Sequence, residues 1–199
     1  TLDEGLKYLD KNPEANIPKL MSLIDRLSPA SLFPSQRDAI RRAIDEKNNW
    51  YQLIMKSYSL DSNVRNTFFR SFLINANLIG WPRQEVMRER YGCNIPWAVL
   101  LDPTSACNLH CTGCWAAEYG NKLNLSYDDI DSIINQAEEL GCYFFIYTGG
   151  EPLVRKHDVI RLCEAHPEAA FMCFTNGTLV DQKFCDDMKR VGNFIPVLS

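Results

Sequence analysis

Four short, continuous apolar runs alternate with amphipathic segments in the second half of the chain, and this alternation most restricts the possible fold. The runs cover residues 97–101, 142–147, 169–174 and 194–198. Continuous apolar runs are typical of strands that are buried on both faces, as in a parallel sheet. The segments between them have helical spacing, and they end at Gly141, before Pro167 and at Gly192. The pattern therefore predicts right-handed βαβ units.

The residues before this region have a helical pattern instead. Apolar residues recur near a period of 3.6 over 14–27, from about 35 to 55 and from about 61 to 78. Gly80 is expected to close the last of these helices in a left-handed turn. We therefore predict an all-α domain over residues 1–92 and an α/β domain over residues 93–199. Because no helix follows the fourth strand, we interpret the second domain as the first four parallel strands of a truncated α/β barrel.

The composition limits the classes of function. The 199 residues carry a formal net charge of −4, whereas a nucleic-acid groove is normally basic. No apolar stretch approaches the roughly 18 residues that span a bilayer. Residues 1–4 also lack the basic and apolar pattern of a secretory signal. These features predict a cytoplasmic protein that binds neither nucleic acid nor a membrane.

Three of the eight cysteines form a C-x3-C-x2-C motif in the loop after the first predicted strand: Cys107, Cys111 and Cys114. Thiolates are soft ligands that select zinc or iron–sulfur clusters. Three thiolates on one loop can hold three irons of a [4Fe–4S] cubane and leave the fourth iron open. The alternative is a structural zinc site that His110 or a distant cysteine closes. The motif alone leaves both readings open.

The five cysteines outside the motif, His157 and His166 are not assigned to the site. Free cysteine commonly behaves as a small buried apolar residue. We expect this of the five scattered cysteines, at positions 93, 142, 163, 173 and 185. His157 and His166 flank the second amphipathic segment, and we expect both at the surface.

A second motif, Gly149-Gly150-Glu151, follows the second apolar run. Paired glycines let a backbone approach a ligand closely, since they have no Cβ atom. The neighbouring carboxylate can accept hydrogen bonds from an ammonium group. An ordinary strand-to-helix turn explains the same residues, so the motif is ambiguous when taken alone.

In combination, the two motifs resemble those of the radical S-adenosylmethionine (SAM) superfamily. That family has a C-x3-C-x2-C loop after its first strand and a Gly-Gly-Glu motif at the end of its second strand. Residues 97–199 resemble the first four strands of the family's six-stranded partial (β/α) barrel. Residues 175–178, at the end of the third predicted strand, are similar to those of peptide- and protein-modifying members.

The resemblance implies a set of cofactor ligands. The three thiolates would hold a [4Fe–4S] cluster, and SAM would chelate its open iron. Gly149, Gly150 and Glu151 would bind the methionyl ammonium group. Ser199, at the end of the fourth strand, would meet the ribose. Asn176 is a further ligand candidate, although a turn residue that tolerates an unusual backbone angle is the alternative.

One position departs from the family pattern. Members often have an aromatic residue before the third cysteine, where it contacts the adenine, and this sequence has Gly113 there. The adenine contact would then come from the backbone at Gly113 or from Trp115. The indole of Trp115 is otherwise expected to pack beneath the loop.

The resemblance also implies the reaction type. A reduced cluster passes one electron into the sulfonium of SAM, and the resulting 5′-deoxyadenosyl radical removes a hydrogen atom from the substrate. The protein supplies position and excludes water. Ferredoxin or flavodoxin would donate the electron, and the substrate would be an organic molecule, with a peptide or protein as a candidate. The rival interpretation is a non-catalytic module that binds zinc or an iron–sulfur cluster as a scaffold.

Overall fold

The computed structural model describes residues 2–27, 29 and 33–199, and the side chains of residues 2, 3, 117 and 118 lie outside that description. The chain divides into two compact units, Thr1–Arg65 and Asn66–Ser199. The described part of the first unit is helical, and the second unit contains a sheet. The helical residues from 66 to 91 belong to the second unit, while the domain boundary at residue 92 stays a prediction.

The described residues up to 68 form five α-helices: α1 (Leu2–Lys11), α2 (Pro13–Leu27), α3 (Pro34–Glu46), α4 (Asn49–Ser57) and α5 (Ser62–Phe68). The single helix predicted from about 35 to 55 is therefore wrong, because two helices occupy this range. Lys47 adopts a left-handed φ of 49° and ends α3. Asn48 then caps α4, since its side chain accepts hydrogen bonds from the first backbone N–H groups of that helix. Among the described residues, no helix is both long and apolar enough to cross a membrane.

A π-helix, Phe69–Ile79, continues directly into α6, Gly80–Tyr91. The expected left-handed turn at Gly80 is wrong, because Gly80 has a helical φ of −66°. The glycine is needed for packing instead. A Cβ atom at this position would lie 2.4 Å from the carbonyl oxygen of Gly141. Gln84, which is fully buried, donates a 2.8 Å hydrogen bond to the same oxygen.

The second unit contains four parallel strands: β1 (Val99–Leu101), β2 (Phe144–Tyr147), β3 (Ala170–Thr175) and β4 (Phe194–Leu198). Their order in the sheet is the order along the chain. Three helices make the crossovers: α7 (Tyr127–Glu139), α8 (Lys156–Ala165) and α9 (Gln182–Val191). The predicted fold class, an open sheet of four parallel strands after a helical region, is confirmed. Parallel strands joined in this way bring all their carboxyl ends to one edge.

Apolar side chains cover both faces of the sheet. On the face that α7, α8 and α9 cover, the rings of Phe145 and Tyr147 stack on Phe171 at 5.5 and 5.8 Å between centroids. On the other face, the ring of Phe72 from the π-helix meets Phe144 at 4.9 Å. Burying a side chain of this size stabilises the fold by about 1.5–3 kcal/mol. This packing fixes the strands whose ends carry the predicted site.

His166 is buried, with 4% of its surface exposed, so its predicted surface position is wrong. Its two ring nitrogens lie 3.3 Å from a Glu138 oxygen and 3.1 Å from an Asp131 oxygen, both on α7. Burial lowers the pKa of His166, but the hydrogen bonds and charges of the two carboxylates outweigh burial and raise the pKa above its ordinary value. This pairing has no local signal in the sequence, because the partners lie 28 and 35 positions away.

Three of the five scattered cysteines are buried as predicted, namely Cys142, Cys163 and Cys173. Burial raises the pKa of Cys173 to about 12, and the negative charge of Glu151 adds to the effect. The prediction is wrong for Cys93, which is exposed, while Cys185 is half-buried. The buried thiols are therefore weak nucleophiles and structural apolar residues.

Candidate functional site

The two sequence motifs meet at the carboxyl-terminal edge of the sheet. Residues 103–106 lead from β1 into the cysteine loop, and backbone hydrogen bonds join them to residues 123–125 on one side. On the other side, the N–H of Gly150 donates to the carbonyl oxygen of Thr104 at 3.0 Å. The N–H of Glu151 donates to the carbonyl oxygen of Ala106 at 2.8 Å. The start of the cysteine loop is therefore attached directly to the glycine turn.

The turn contains glycines because it packs closely against residues 102–106. Gly149 has a φ of +100°, which L side chains rarely adopt. A Cβ atom at Gly150 would lie 2.3 Å from the carbonyl oxygen of Ala106. The N–H groups of Gly150 and Glu151 are used within the chain, whereas backbone carbonyl oxygens of the turn can accept hydrogen bonds from an ammonium group.

The carboxylate of Glu151 joins the end of β2 to the end of β3. The residue is 1% exposed. Its Oε1 accepts hydrogen bonds from the Leu153 N–H at 2.9 Å and from the Thr175 hydroxyl at 2.7 Å. Its Oε2 accepts from the Asn176 N–H at 2.8 Å. These contacts give the side chain a positioning role, and its predicted contact with a ligand ammonium group stays a prediction.

A second group of polar side chains joins the cysteine loop to the loop after β3. The Asn176 amide donates to the Asn108 side-chain oxygen at 3.0 Å, and the Asn108 amide donates to the Thr178 hydroxyl at 2.7 Å. The Asn176 side-chain oxygen accepts from the Thr178 hydroxyl at 2.7 Å. Asn108 was not predicted as a site residue, although an amide directly after Cys107 is a visible signal. The role of Asn176 as a cofactor ligand stays a prediction.

The three motif cysteines are free thiols. Cys107 is half-buried and accepts a hydrogen bond from the Leu109 N–H at 3.4 Å, whereas Cys111 and Cys114 are exposed. In the described part of the chain, no group of three or more His, Cys, Asp or Glu residues is arranged to hold a metal ion. The donor chemistry nevertheless fits an iron–sulfur cluster, since three soft ligands lie in one accessible loop. The thiols would have to converge when a cluster binds.

The remaining predicted residues lie at the same edge of the sheet. Gly113 is exposed with a φ of +77°, and no atom lies within 4 Å of the position of a Cβ there. Ser199 follows β4, and its N–H donates to the carbonyl oxygen of Thr175 at 3.1 Å. Trp115 is 58% exposed and meets the Tyr119 ring edge-on at 5.9 Å, so the expected packing beneath the loop is wrong.

A cleft of about 480 Å³ lies beside the glycine turn. Its lining combines charged, aromatic and glycine residues, including Asp102, Trp115, Tyr119, Lys122, Gly149 and Gly150. Ligand sites commonly combine apolar walls with a few polar groups in this way. The cleft therefore provides a place for a small organic molecule next to the cysteine loop.

Residues in the second half of the chain are similar to known proteins. A family model described as the Radical SAM superfamily matches residues 101–199. The GTP 3′,8-cyclase of Clostridium perfringens (strain SM101 / Type A) is 30% identical over 104 residues, which are 49% of this chain and 32% of that protein. The Fe-coproporphyrin III synthase of Methanosarcina barkeri is 32% identical over 100 residues, which are 47% of this chain and 24% of that protein.

A crystal structure of Streptococcus suis SuiB bound to precursor peptide SuiA is also similar, with a TM-score of 0.49 and 22% identity, over 61% of this chain and 28% of that one. The chain spans about a third or less of the length of the curated relatives it matches. The matched residues begin with the last residue of β1 and contain both motifs and β2 to β4. Through residues 101–199, the chain belongs to the radical SAM superfamily.

Proposed function

We propose that this chain binds a [4Fe–4S] cluster and SAM at the carboxyl-terminal edge of its sheet and performs radical chemistry on an organic substrate. One observation carries the proposal: the cysteine loop and the glycine turn are joined by hydrogen bonds at that edge, including the 2.8 Å bond from Glu151 N–H to Ala106. When bound, the cluster and SAM supply a 5′-deoxyadenosyl radical that abstracts a hydrogen atom. Membership of the family supports this class of chemistry.

The chain's own residues have separate tasks in this proposal. Cys107, Cys111 and Cys114 hold three irons, and carbonyl oxygens of the turn at Gly149 and Gly150 accept hydrogen bonds from the methionyl ammonium group. The backbone at Gly113, the amide of Asn176 and the hydroxyl of Ser199 are the proposed contacts with the rest of SAM. The buried carboxylate of Glu151 orients the turn against the end of β3, because its three donors come from both segments.

The proposal includes an electron donor, a class of substrate and a location in the cell. Ferredoxin or flavodoxin supplies the electron, since a radical SAM site needs a one-electron donor of low potential. The proposed substrate is a peptide or protein, and the support is the similarity of residues 175–178 to peptide-modifying members. We also propose a cytoplasmic location, where glutathione and thioredoxin keep cysteine thiols reduced.

The proposal is tested by SAM cleavage. The chain is reconstituted with iron and sulfide without oxygen, and dithionite and SAM are then added. Chromatography with mass spectrometry should detect 5′-deoxyadenosine for the wild type and for Cys93→Ala, which removes an exposed cysteine outside the motif. Cys111→Ala should yield none. A wild-type chain that contains four irons and four sulfides yet forms no 5′-deoxyadenosine would contradict the proposal.

Elemental analysis separates this function from a zinc scaffold. Protein purified strictly without oxygen should contain iron and acid-labile sulfide in equal amounts. One zinc per chain without sulfide would favour a structural site closed by His110 or another cysteine.

A further inference from the structure

The segment that carries the motif cysteines begins and ends in a narrow neck. The neck has two arms, residues 103–105 and residues 123–125, which an antiparallel bridge joins. Backbone hydrogen bonds of 2.8 and 3.2 Å also connect the arms. The segment between the arms, residues 106–122, contains all three motif cysteines. It therefore projects from a base that is closed on itself.

Arg155 joins the two arms of the neck through its side chain. Its Nη1 donates to the Pro103 carbonyl oxygen at 2.9 Å and also to the Leu125 carbonyl oxygen, so one nitrogen contacts both arms. Its Nε and Nη2 donate to Asp158 Oδ2 at 3.1 and 2.7 Å, which fixes the orientation of the guanidinium group. The Arg155 side chain is 16% exposed. Because hydrogen bonds from a charged donor are stronger than neutral ones, this contact links the arms firmly.

The same short segment after β2 holds both arms. The first arm is attached to the glycine turn, since the Gly150 N–H donates to the Thr104 carbonyl oxygen. Arg155 lies at the end of the 3₁₀ helix Pro152–Arg155, which directly follows that turn, and it contacts the second arm at Leu125. The position of the turn is therefore transmitted to the start and to the end of the segment that carries the cysteines.

We propose that Arg155 is a positioning residue that closes the neck and slows the loss of a bound cluster. The inference rests on the proposed function, in which the three thiols hold a [4Fe–4S] cluster. Cys111 and Cys114 are exposed, so the closed neck limits how far these thiols can move away. Closing a loop at its base also removes conformational freedom before a ligand binds, so less entropy is lost when the thiols converge.

The rate of iron release tests this inference. The proteins are reconstituted without oxygen to equal iron and sulfide contents, an excess of a ferrous chelator is added, and iron transfer is followed by absorbance. Arg155→Met should release iron about tenfold faster than the wild type, as expected when charge-assisted hydrogen bonds are lost. Arg155→Lys keeps the charge and can donate to one carbonyl oxygen, but it lacks the guanidinium fork, so its rate should lie between the two.

Arg190→Met is the matched control. Arg190 forms ion pairs with Glu164 and Asp187 at the exposed surface of α8 and α9, so its replacement removes the same charge and the same type of contact. This variant should release iron at the wild-type rate. Equally fast release from Arg190→Met and Arg155→Met would overturn the inference, because the effect would then not depend on the neck.

Hydrogen exchange of the cluster-free protein gives a second readout, which does not depend on iron. Peptides that cover residues 103–106 and 121–126 should exchange faster in Arg155→Met than in the wild type. Peptides from β2 and β3 should keep their wild-type rates. Faster exchange in β2 and β3 as well would mean that Arg155 stabilises the whole unit, and the assignment to the neck would be overturned.

The possible failures are distinguishable. If Arg155→Met retains its iron as long as the wild type does, the role in cluster retention is overturned while the proposed function stands. If the reconstituted wild type holds no cluster, the proposed function fails, and the retention role fails with it whatever the exchange of the neck.

Discussion

Replacement of Glu151 tests whether its carboxylate holds the two strand ends together before any cofactor binds. In Glu151→Ala, the Leu153 N–H, the Thr175 hydroxyl and the Asn176 N–H all lose their acceptor. Each buried donor left without a partner costs about 1–3 kcal/mol. The substitution also removes the desolvation cost of a buried charge, which offsets part of this loss. We therefore expect the free energy of unfolding to fall by about 3–5 kcal/mol.

The isosteric change Glu151→Gln should have a smaller effect. The amide oxygen can take the place of Oε1 and accept from Leu153 and Thr175. The amide NH2 group then faces the Asn176 N–H, so two donors oppose each other. These two opposed donors should lower the free energy of unfolding by about 1–3 kcal/mol. The order of stability should be wild type, then Glu151→Gln, then Glu151→Ala.

Urea unfolding of the metal-free protein, followed by circular dichroism, measures these differences. Hydrogen exchange of peptides from β2 and β3 assigns the transition to the unit that contains the sheet. Glu89→Gln, on the exposed surface of α6, is the matched control and should change stability by less than about 0.5 kcal/mol. Equal midpoints for the wild type and Glu151→Ala would refute the positioning role, and the carboxylate would then be free to serve a ligand alone.

Three further predictions follow from packing and titration. Gly80→Ala should destabilise the chain by about 1–3 kcal/mol, since its Cβ would meet the Gly141 carbonyl oxygen. Gly5→Ala is the control and should not destabilise the chain, because no atom lies within 4 Å of the position of its Cβ. Thermal melts compare the two. His166 has a higher pKa in the folded protein than in the unfolded chain, so its contribution to stability should be complete below the unfolded pKa and be lost as pH rises through the folded pKa. The difference in free energy of unfolding between the wild type and His166→Gln, measured from about pH 5.5 to 8.5, checks this. Cys173 should resist iodoacetamide at pH 8 in native protein, as mass spectrometry can show.

The elements of the sheet could be predicted from the sequence, because each strand is a continuous apolar run and each crossover helix has its own cap or stop. The Ser126–Asp129 capping box at the start of α7 is such a local signal. Long-range contacts have no such signal. Gly80 was expected to end a helix, yet its small size serves a contact with Gly141, 61 positions later. The burial of His166 likewise depends on carboxylates of another helix.

The candidate site shows the same division between local and long-range information. The residue types of the cysteine loop and the glycine turn follow from the sequence, since their spacing is itself the signal. The different surroundings of the Glu151 and Asp102 carboxylates do not follow from the sequence, because they depend on which of the two the fold buries. Glu151 has partners 24 and 25 positions away, at the end of β3 and directly after it, whereas Asp102 faces the cleft without a side-chain partner among the described residues.

The hydrogen bonds at this edge also explain how an exposed cysteine loop can have a defined position. Ala106 is bound to Glu151, Glu151 to Asn176, and Asn176 to Asn108, so three loops form a closed ring of contacts. This ring anchors the loop on both sides of Cys107 and includes neither Cys111 nor Cys114. A cluster would therefore meet one thiol that the protein already orients and two that lie exposed beyond the ring. Loss of the ring should accordingly weaken cluster retention more than loss of any contact made by the later part of the loop.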